Sequence, residues 1–232
     1  MKNKKMKRVE SGIPGLDIML NGGFPSPSAI LIGGDPGTGK TTLALQSLFY
    51  SAKKGERGIY INAISEPAWV IEEYLSEFKF YSQKLVDTKK VIFLDINEIN
   101  EKVGRDPSHI LDEIKKYVEI YNPSKIAIDS ITSIQYALED NLTYRRFLYD
   151  IITYLKIQGC VTFLISELTY EGISKSIDAY VADGIIVLSY LELENSRMKC
   201  IEILKMRGTN HMTGKRSLII SEEGVRVQPE IK

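Results

Sequence analysis

The sequence predicts an α/β fold with a mostly parallel, twisted sheet flanked by helices and a C-terminal antiparallel β extension. Short apolar runs alternate with helical periodicity through the first two thirds of the chain. After residue 183 only short strand-like segments and turns follow. The length of 232 residues, with 44% hydrophobic and 26% charged residues, suits one globular domain. We therefore expect a single domain over residues 11–232, preceded by a basic tail over residues 1–10.

Each predicted element follows from its local pattern. The parallel strands are short apolar runs that stop at turn residues: Ser28–Gly33, Gly58–Ala63, Val91–Ile96, Lys125–Asp129 and Cys160–Ser166. Between them the pattern predicts helices over Thr42–Lys54, Ala68–Phe78, Ser108–Tyr121 and Thr143–Lys156. Ser108 is expected to cap the free N–H groups of its helix. The antiparallel extension is predicted over Gly184–Glu192, Met198–Met206, Ser217–Ser221 and Gly224–Val227.

Charge and cysteine usage narrow the class of protein. The chain has 30 Lys and Arg against 30 Asp and Glu, so it lacks the overall basic excess typical of duplex-DNA binders. A local basic cluster near the N-terminus predicts a solvated tail, with a contact to nucleic acid or an acidic partner as the alternative; it comprises Lys2, Lys4, Lys5, Lys7 and Arg8. Cys160 and Cys200 lie in apolar stretches without metal-ligand spacing, as expected of buried thiols in the cytoplasm. No apolar run is long enough for a membrane span or a secretory signal.

Residues 34–41 carry the strongest motif. They read GDPGTGKT and match the pattern G-x-x-x-x-G-K-[ST] in full, after a predicted strand and before a predicted helix. In such a loop backbone N–H groups surround a phosphate, and the following helix adds its positive end. Lys40 is expected at the β- and γ-phosphates and Thr41 on Mg²⁺. The predicted ATP-binding residues are Gly34, Asp35, Pro36, Gly37, Thr38, Gly39, Lys40, Thr41 and Thr42.

Two acidic residues are candidates for the chemistry beside this loop. Asp129 ends the apolar strand KIAID, where P-loop proteins place the acid that holds the magnesium shell. Hydrolysis also needs a group that orients or deprotonates the attacking water. Glu66 is the only carboxylate directly after the second predicted strand, and we expect it to act as this base.

Three further segments, in order and spacing, give the chain a family resemblance. Ser11–Asp17 (SGIPGLD) precedes the phosphate loop together with an Asn-Gly-Gly turn. Ile128–Ser133 (IDSITS) contains the magnesium acid, and Glu202–Met212 (EILKMRGTNHM) lies near the end. Over nearly its full length the chain resembles the KaiC-like branch of the RecA/RadA superfamily. The resemblance implies a RecA-like P-loop NTPase core that uses ATP and Mg²⁺.

The resemblance also implies a neighbouring subunit. In this family the lysine and arginine of the late segment reach across an interface to the nucleotide of the next copy. The residues carried over to this role are Lys205, Met206, Arg207, Thr209 and His211. A cation supplied in trans would neutralise charge that grows on the transferred phosphoryl group. The implied protein is a weak ATPase in an ATP-dependent homo-oligomeric ring, and six subunits would follow the clock members of the family.

Two departures from the family limit these expectations. KaiC-like domains often carry paired glutamates after the second strand, whereas here the alignment leaves Glu66 alone or leaves none, so efficient turnover is not expected. The phosphorylated Ser-Thr pair of the clock protein has no match either, because Ala179 and Tyr180 fall near that place. We therefore expect no autokinase activity.

Two other functions stay open at this point. The chain could be a RadA-like accessory protein that binds single-stranded DNA through inner loops at Thr132–Tyr144, which ends at Arg145 and Arg146, and at Leu168–Tyr180. The tyrosines of the second segment could stack on bases, although it carries little positive charge. The chain could instead be an ATP-binding scaffold without hydrolysis, since the second acid is missing.

Overall fold

A nine-stranded sheet forms the centre of the protein. The computed structural model describes residues 6–63, 67–96, 99, 107–138, 140–173 and 175–230. The strands are β1 (Lys7–Val9), β2 (Phe24–Ser26), β3 (Ser28–Gly34), β4 (Gly58–Asn62), β5 (Val91–Asp95), β6 (Lys125–Asp129), β7 (Val161–Ile165), β8 (Gly184–Leu193), β9 (Ser196–Met206), β10 (Arg216–Ser221) and β11 (Gly224–Gln228). Within the large sheet their order is β11-β10-β9-β8-β3-β7-β6-β4-β5, and β1 pairs separately with β2.

The large sheet has a parallel part and an antiparallel part. Strands β5, β4, β6, β7, β3 and β8 are mutually parallel, whereas β8, β9, β10 and β11 pair antiparallel. The predicted α/β fold with a C-terminal antiparallel extension is therefore confirmed. The six parallel strands place their carboxyl ends at one edge, which is where ligands bind in open α/β sheets.

Helices cover both faces of the sheet. They are α1 (Leu16–Met19), α2 (Lys40–Lys53), α3 (Ala68–Ser76), α4 (Gln83–Asp87), α5 (Pro107–Tyr121), α6 (Ile131–Leu138), α7 (Asn141–Ile157), α8 (Tyr170–Ile173) and α9 (Ile177–Val181). The buried side chains of α1, α2 and α3 form one apolar cluster against the sheet. Those of α5, α6, α7, α8 and α9 form the second cluster on the opposite face. Within the described ranges, no helix combines the length and apolarity needed to cross a membrane.

The helices differ from the sequence prediction in three places. The structure describes helix α5 from Pro107, one residue before the predicted start at Ser108. Helix α7 begins two residues before the predicted start, because the Asp140 side chain accepts hydrogen bonds from the N–H groups of Leu142 and Thr143. Helix α6 was predicted as a loop, but Ile131 and Ile134 are buried at helical spacing and hold it on the sheet.

The last part of the predicted basic tail belongs to the fold. Lys7–Val9 form β1, which pairs antiparallel with β2. The Arg8 guanidinium donates hydrogen bonds to the carbonyls of Leu20 and Gly23 and to the Thr209 hydroxyl at 3.0–3.1 Å. The Arg8 side chain therefore forms contacts within the chain and connects β1 to the loop after β9.

A fully buried lysine holds the segment that follows β1. Lys125 begins β6, and its amine donates hydrogen bonds to the Glu10 carbonyl at 2.7 Å and to the hydroxyl and carbonyl of Ser47 at 2.8 and 3.2 Å. All three acceptors are uncharged, so no directly bonded anion compensates for the loss of hydration. Burial accordingly lowers the pKa of Lys125 to about 8.

This lowered pKa predicts a pH-dependent stability. Between pH 8 and the ordinary pKa of 10.5 the unfolded chain binds more protons at this site than the folded chain, so unfolding becomes less favourable as pH rises. We expect the stability of the wild type relative to Lys125→Met to increase across this window, by at most about 1.4 kcal/mol per pH unit. Denaturant titrations of both proteins at several pH values measure it. A difference in stability between the two proteins that does not change with pH would contradict the lowered pKa of Lys125.

Candidate nucleotide site

The glycine-rich loop between β3 and α2 is shaped as a phosphate cradle. Gly34 and Gly39 have φ angles of 144° and 100°, in the region that favours glycine. A Cβ atom at Gly34 would lie 1.9 Å from the Leu188 carbonyl oxygen, and one at Gly39 would lie 2.4 Å from the Cδ1 atom of Ile220. The loop is therefore fixed by close contact with β8 and β10. It leads directly into α2, whose N-terminal N–H groups and dipole favour an anion.

The Lys40 side chain curls back over this loop. Its amine donates hydrogen bonds to the carbonyl oxygens of Gly34 at 2.7 Å and Asp35 at 3.0 Å. Burial lowers the pKa of Lys40, while the carboxylates of Asp129 and Glu167 act in the opposite direction. The positive charge is thereby held where the motif predicts the β- and γ-phosphates. Thr42 lies two residues further, in the first turn of α2.

Two predicted magnesium residues from distant parts of the sequence meet beside the loop. The Thr41 hydroxyl donates a 2.6 Å hydrogen bond to Oδ2 of Asp129, which ends β6. The Tyr60 hydroxyl donates a second hydrogen bond to the same oxygen at 2.8 Å. Burial raises the pKa of Asp129, and the two hydroxyl donors act against that rise. A hydroxyl and a carboxylate oxygen at the mouth of a phosphate cradle are ligands that suit Mg²⁺, which takes few protein ligands and shares substrate phosphates.

Sequence reasoning missed two residues at this edge. Tyr60 lies in β4 next to β6, and its ring contacts Phe93 while its hydroxyl reaches Asp129. Glu167 follows the carboxyl end of β7 and accepts a 3.4 Å hydrogen bond from the Ser130 hydroxyl. Its charge acts on both Lys40 and Asp129. Glu167 could have been found by the signal that identified Asp129, an acid directly after an apolar strand.

Lys205 and Arg207 lie far from the phosphate loop of their own chain. The register places Ile30 beside Gly184 and Gly184 beside Met206, whereas Gly34 pairs with Leu188. Four residues of strand, about 13 Å, thus separate the two sites along the sheet. The Arg207 side chain is 58% exposed and its guanidinium lies 3.5 Å from Asp183. The Lys205 amine donates to the carbonyls of Ala179 and Ala182 at 3.0 and 2.6 Å.

Three other residues were predicted beside Lys205 and Arg207 at the interface, and each has contacts within its own chain. The Met206 side chain is buried in the core, so it differs from the exposed contact that the resemblance implies. The Thr209 hydroxyl accepts from Arg8, and Nδ1 of His211 lies 3.2 Å from the Met212 carbonyl oxygen. Glu66, the predicted base, lies outside the described residues.

The loop, the buried acid at the end of β6 and the sheet order define a P-loop α/β protein. A comparison with protein families identifies the branch, because the profile described as "ATPase: KaiC" matches residues 9–232. The chain belongs to the KaiC-like ATPase family. The sequence resemblance is thereby confirmed, and membership implies nucleotide binding.

Individual relatives agree with this assignment. The chain is 30% identical to the UPF0273 protein MK0039 of Methanopyrus kandleri, with 97% of this chain and 93% of that protein covered. It is also 30% identical to the circadian clock oscillator protein KaiC of Picosynechococcus, but there it spans only 45% of the relative's length. The crystal structure of the KaiC-like protein PH0186 from Pyrococcus horikoshii superposes with a TM-score of 0.86 at 32% identity, covering 97% of this chain and all of that one.

Proposed function

We propose that the protein binds Mg²⁺-ATP at residues 34–42, hydrolyses it slowly, and acts as an ATP-dependent homo-oligomeric switch in the cytoplasm. The observation that carries the proposal is the contact of Thr41 with Asp129 beside the glycine cradle. It unites the hydroxyl and the carboxylate that a P-loop site uses for its metal. When bound, Mg²⁺ would neutralise charge on the phosphate oxygens held there.

Different residues would bind the phosphates and the metal. Backbone N–H groups of the loop and of the first turn of α2 would surround the phosphates, and Lys40 would exchange its two carbonyl partners for phosphate oxygens. Thr41 and Asp129 would hold the metal, with Tyr60 orienting the Asp129 carboxylate through its 2.8 Å hydrogen bond. These roles require no rearrangement of the sheet, since Asp129 ends β6 at the carboxyl edge and already contacts both Thr41 and Tyr60.

Hydrolysis needs groups that this cradle does not supply alone. Glu66 is proposed as the base that orients water. Arg207 and Lys205 are proposed to reach the nucleotide of a neighbouring copy. The location of Arg207 supports the second proposal, because its exposed guanidinium is at the wrong end of the sheet to serve its own loop. A site completed head-to-tail generates a ring when the rotation closes, and a hexamer is the size that the family resemblance implies.

Turnover with and without magnesium tests this function. We expect slow phosphate release that needs Mg²⁺ and falls at least about 100-fold in Asp129→Asn, because the variant loses the anionic metal ligand. Phosphate release, binding of a fluorescent ATP analogue and particle mass are measured together. Asp112→Asn, an exposed acid on α5, is the matched control. If the wild type bound the ATP analogue but released no phosphate, the protein would be a non-hydrolysing ATP-binding scaffold. The lack of a second acid near Glu66 favours that alternative.

Single-stranded DNA binding is the second candidate. The observation that favours it is the Arg145 guanidinium, which lies 5.7 Å from the ring centre of the exposed Tyr180. Aromatic faces beside arginines are a common platform for bases. The predicted inner loop at Thr132–Tyr144 is instead largely helical, so fewer of its backbone N–H and C=O groups are free to contact a DNA strand. Retention of a labelled oligonucleotide that weakens steeply with salt would support this candidate.

A further inference from the structure

A basic and aromatic groove lies between α7, α9 and the end of β9. It has a volume of about 700 Å³. Among the residues that the structure describes, its lining has one carboxylate, that of Asp150, and four cationic side chains: Arg145, Arg146, Lys156 and Arg207. Three exposed apolar or aromatic side chains share the lining, and they are 67%, 63% and 73% exposed: Leu142, Tyr149 and Tyr180. Large exposed side chains beside unneutralised charge are typical of a surface that another molecule covers.

Contacts within the chain neutralise only part of this groove. Lys156 forms an ion pair with Asp183 at 2.6 Å, and Arg207 approaches the same carboxylate more loosely at 3.5 Å. Arg145 and Arg146 lie on the exposed side of α7. The Arg145 guanidinium lies 5.7 Å from the centre of the Tyr180 ring, a cation–π contact that brings no opposite charge. The groove therefore favours a ligand that carries carboxylates or other anions together with an aromatic or apolar anchor.

The same chain carries a surface of the complementary kind on α3. Residues 68–76 read AWVIEEYLS and contain no lysine or arginine. Ile71 and Leu75 are buried against the sheet, which leaves the opposite side of the helix to solvent. That side presents Trp69 and Tyr74, 66% and 62% exposed, with the exposed acid Glu73 between them and Glu77 just past the end. We call it the acidic face of α3.

The groove and the acidic face of α3 cannot meet within one molecule. Helix α3 lies on the sheet face that α2 covers, and it begins after β4 has ended at the carboxyl edge. The groove lies on the face that α7 covers, and it reaches Arg207 just beyond the amino end of β8. The two surfaces are thus on opposite faces of the sheet, and α3 begins at the end of the sheet opposite to Arg207. Only another copy of the chain can bring them together, and the contact is head-to-tail.

We propose that the acidic face of α3 docks into the groove of the neighbouring copy. Trp69 supplies the aromatic anchor, while Glu73 and Glu77 face Arg145 and Arg146. The inference rests on the proposed ATP-dependent oligomer and adds the surfaces that hold its subunits together. Arg207 belongs to the groove lining, so docking of α3 and delivery of Arg207 toward the neighbour's phosphate loop become one event. A second copy is favoured over a nucleic acid because the chain itself supplies the complementary charge.

Paired charge reversals test the docking in the full-length protein. One variant is Glu73→Arg with Glu77→Arg, a second is Arg145→Glu with Arg146→Glu, and a third combines all four changes. We expect each pair alone to weaken Mg²⁺-ATP-dependent self-association at least about tenfold, since like charges then face each other across the interface. The combined variant is expected to recover to within about threefold of the wild type, because opposite charges face each other again.

Controls separate this inference from the function on which it rests. Asp112→Arg with Glu119→Arg reverses two exposed acids on α5 and is expected to assemble normally. Sedimentation velocity gives the particle mass, and a fluorescent ATP analogue checks that every variant still binds nucleotide. Failure of the wild type to assemble would contradict the proposed oligomer itself. Normal assembly of both paired variants would overturn only the docking. The docking would also be overturned if the Arg145→Glu, Arg146→Glu variant assembled normally but no longer bound an oligonucleotide.

Discussion

Lys40→Ala is expected to lose about 10- to 150-fold in ATP affinity, because a charge-assisted bond to phosphate contributes about 1.5–3 kcal/mol. The structure gives the physical reason. The amine is already confined within the loop by the carbonyls of Gly34 and Asp35, so little side-chain entropy remains to be lost when phosphate oxygens replace them. The charge is therefore pre-positioned for its ligand.

The measurement is titration with a fluorescent ATP analogue beside a thermal unfolding curve. Lys53→Ala is the matched control, since Lys53 is an exposed lysine at the opposite end of the same helix. Its affinity is expected to stay within about twofold of the wild type, as an exposed charge more than a Debye length away is screened. Tight ATP binding by Lys40→Ala with an unchanged unfolding temperature would mean that the loop does not use its lysine for phosphate.

Arg207→Ala is expected to keep ATP binding and lose turnover, by about 10³–10⁵-fold if the arginine acts in trans on the growing phosphoryl charge. The separation of Arg207 from its own phosphate loop explains the split between the two measurements. Loss of its 3.5 Å contact to Asp183 is expected to have little effect on folding, because the arginine is 58% exposed and Asp183 keeps its 2.6 Å pair with Lys156.

Single-turnover hydrolysis with radiolabelled ATP can detect losses of this size in a slow enzyme. Arg226→Ala removes an exposed arginine from β11 on the same sheet and serves as the matched control. Its turnover is expected to match the wild type. Equal turnover of Arg207→Ala and the wild type would show that Arg207 has no role in the chemistry.

The sequence pointed to Thr41 and Asp129, the proposed metal ligands, because its signals for them are local. The phosphate loop needs glycines at fixed positions, and Asp129 stands out as an acid that ends an apolar strand. That Thr41 and Asp129 meet at 2.6 Å follows from two parallel strands with their carboxyl ends at one edge. Tyr60 was missed because a tyrosine in an apolar strand has the pattern of a core residue, and only the packing of β4 against β6 brings its hydroxyl to Asp129.

Long-range partners explain the other differences. Arg8 was predicted in a solvated tail, yet its guanidinium bonds to Leu20 and Gly23, which local sequence does not connect with it. Lys125 starts an apolar strand and is buried, although lysine is rarely buried without a charged partner. The opposite positions of Arg207 and the phosphate loop likewise depend on the order of β3, β8 and β9 in the sheet. Local patterns contain none of these relations.

A mixing experiment tests most directly whether neighbouring copies complete each other's nucleotide sites. Lys40→Ala keeps Arg207 and Arg207→Ala keeps Lys40, so each variant is expected to be inactive alone. In an equimolar mixture about a quarter of the interfaces would join an intact loop to an intact arginine, if copies assemble head-to-tail at random. We predict that ATP turnover of the mixture rises to about a quarter of the wild-type rate. A mixture no more active than the sum of its two components would contradict the shared site.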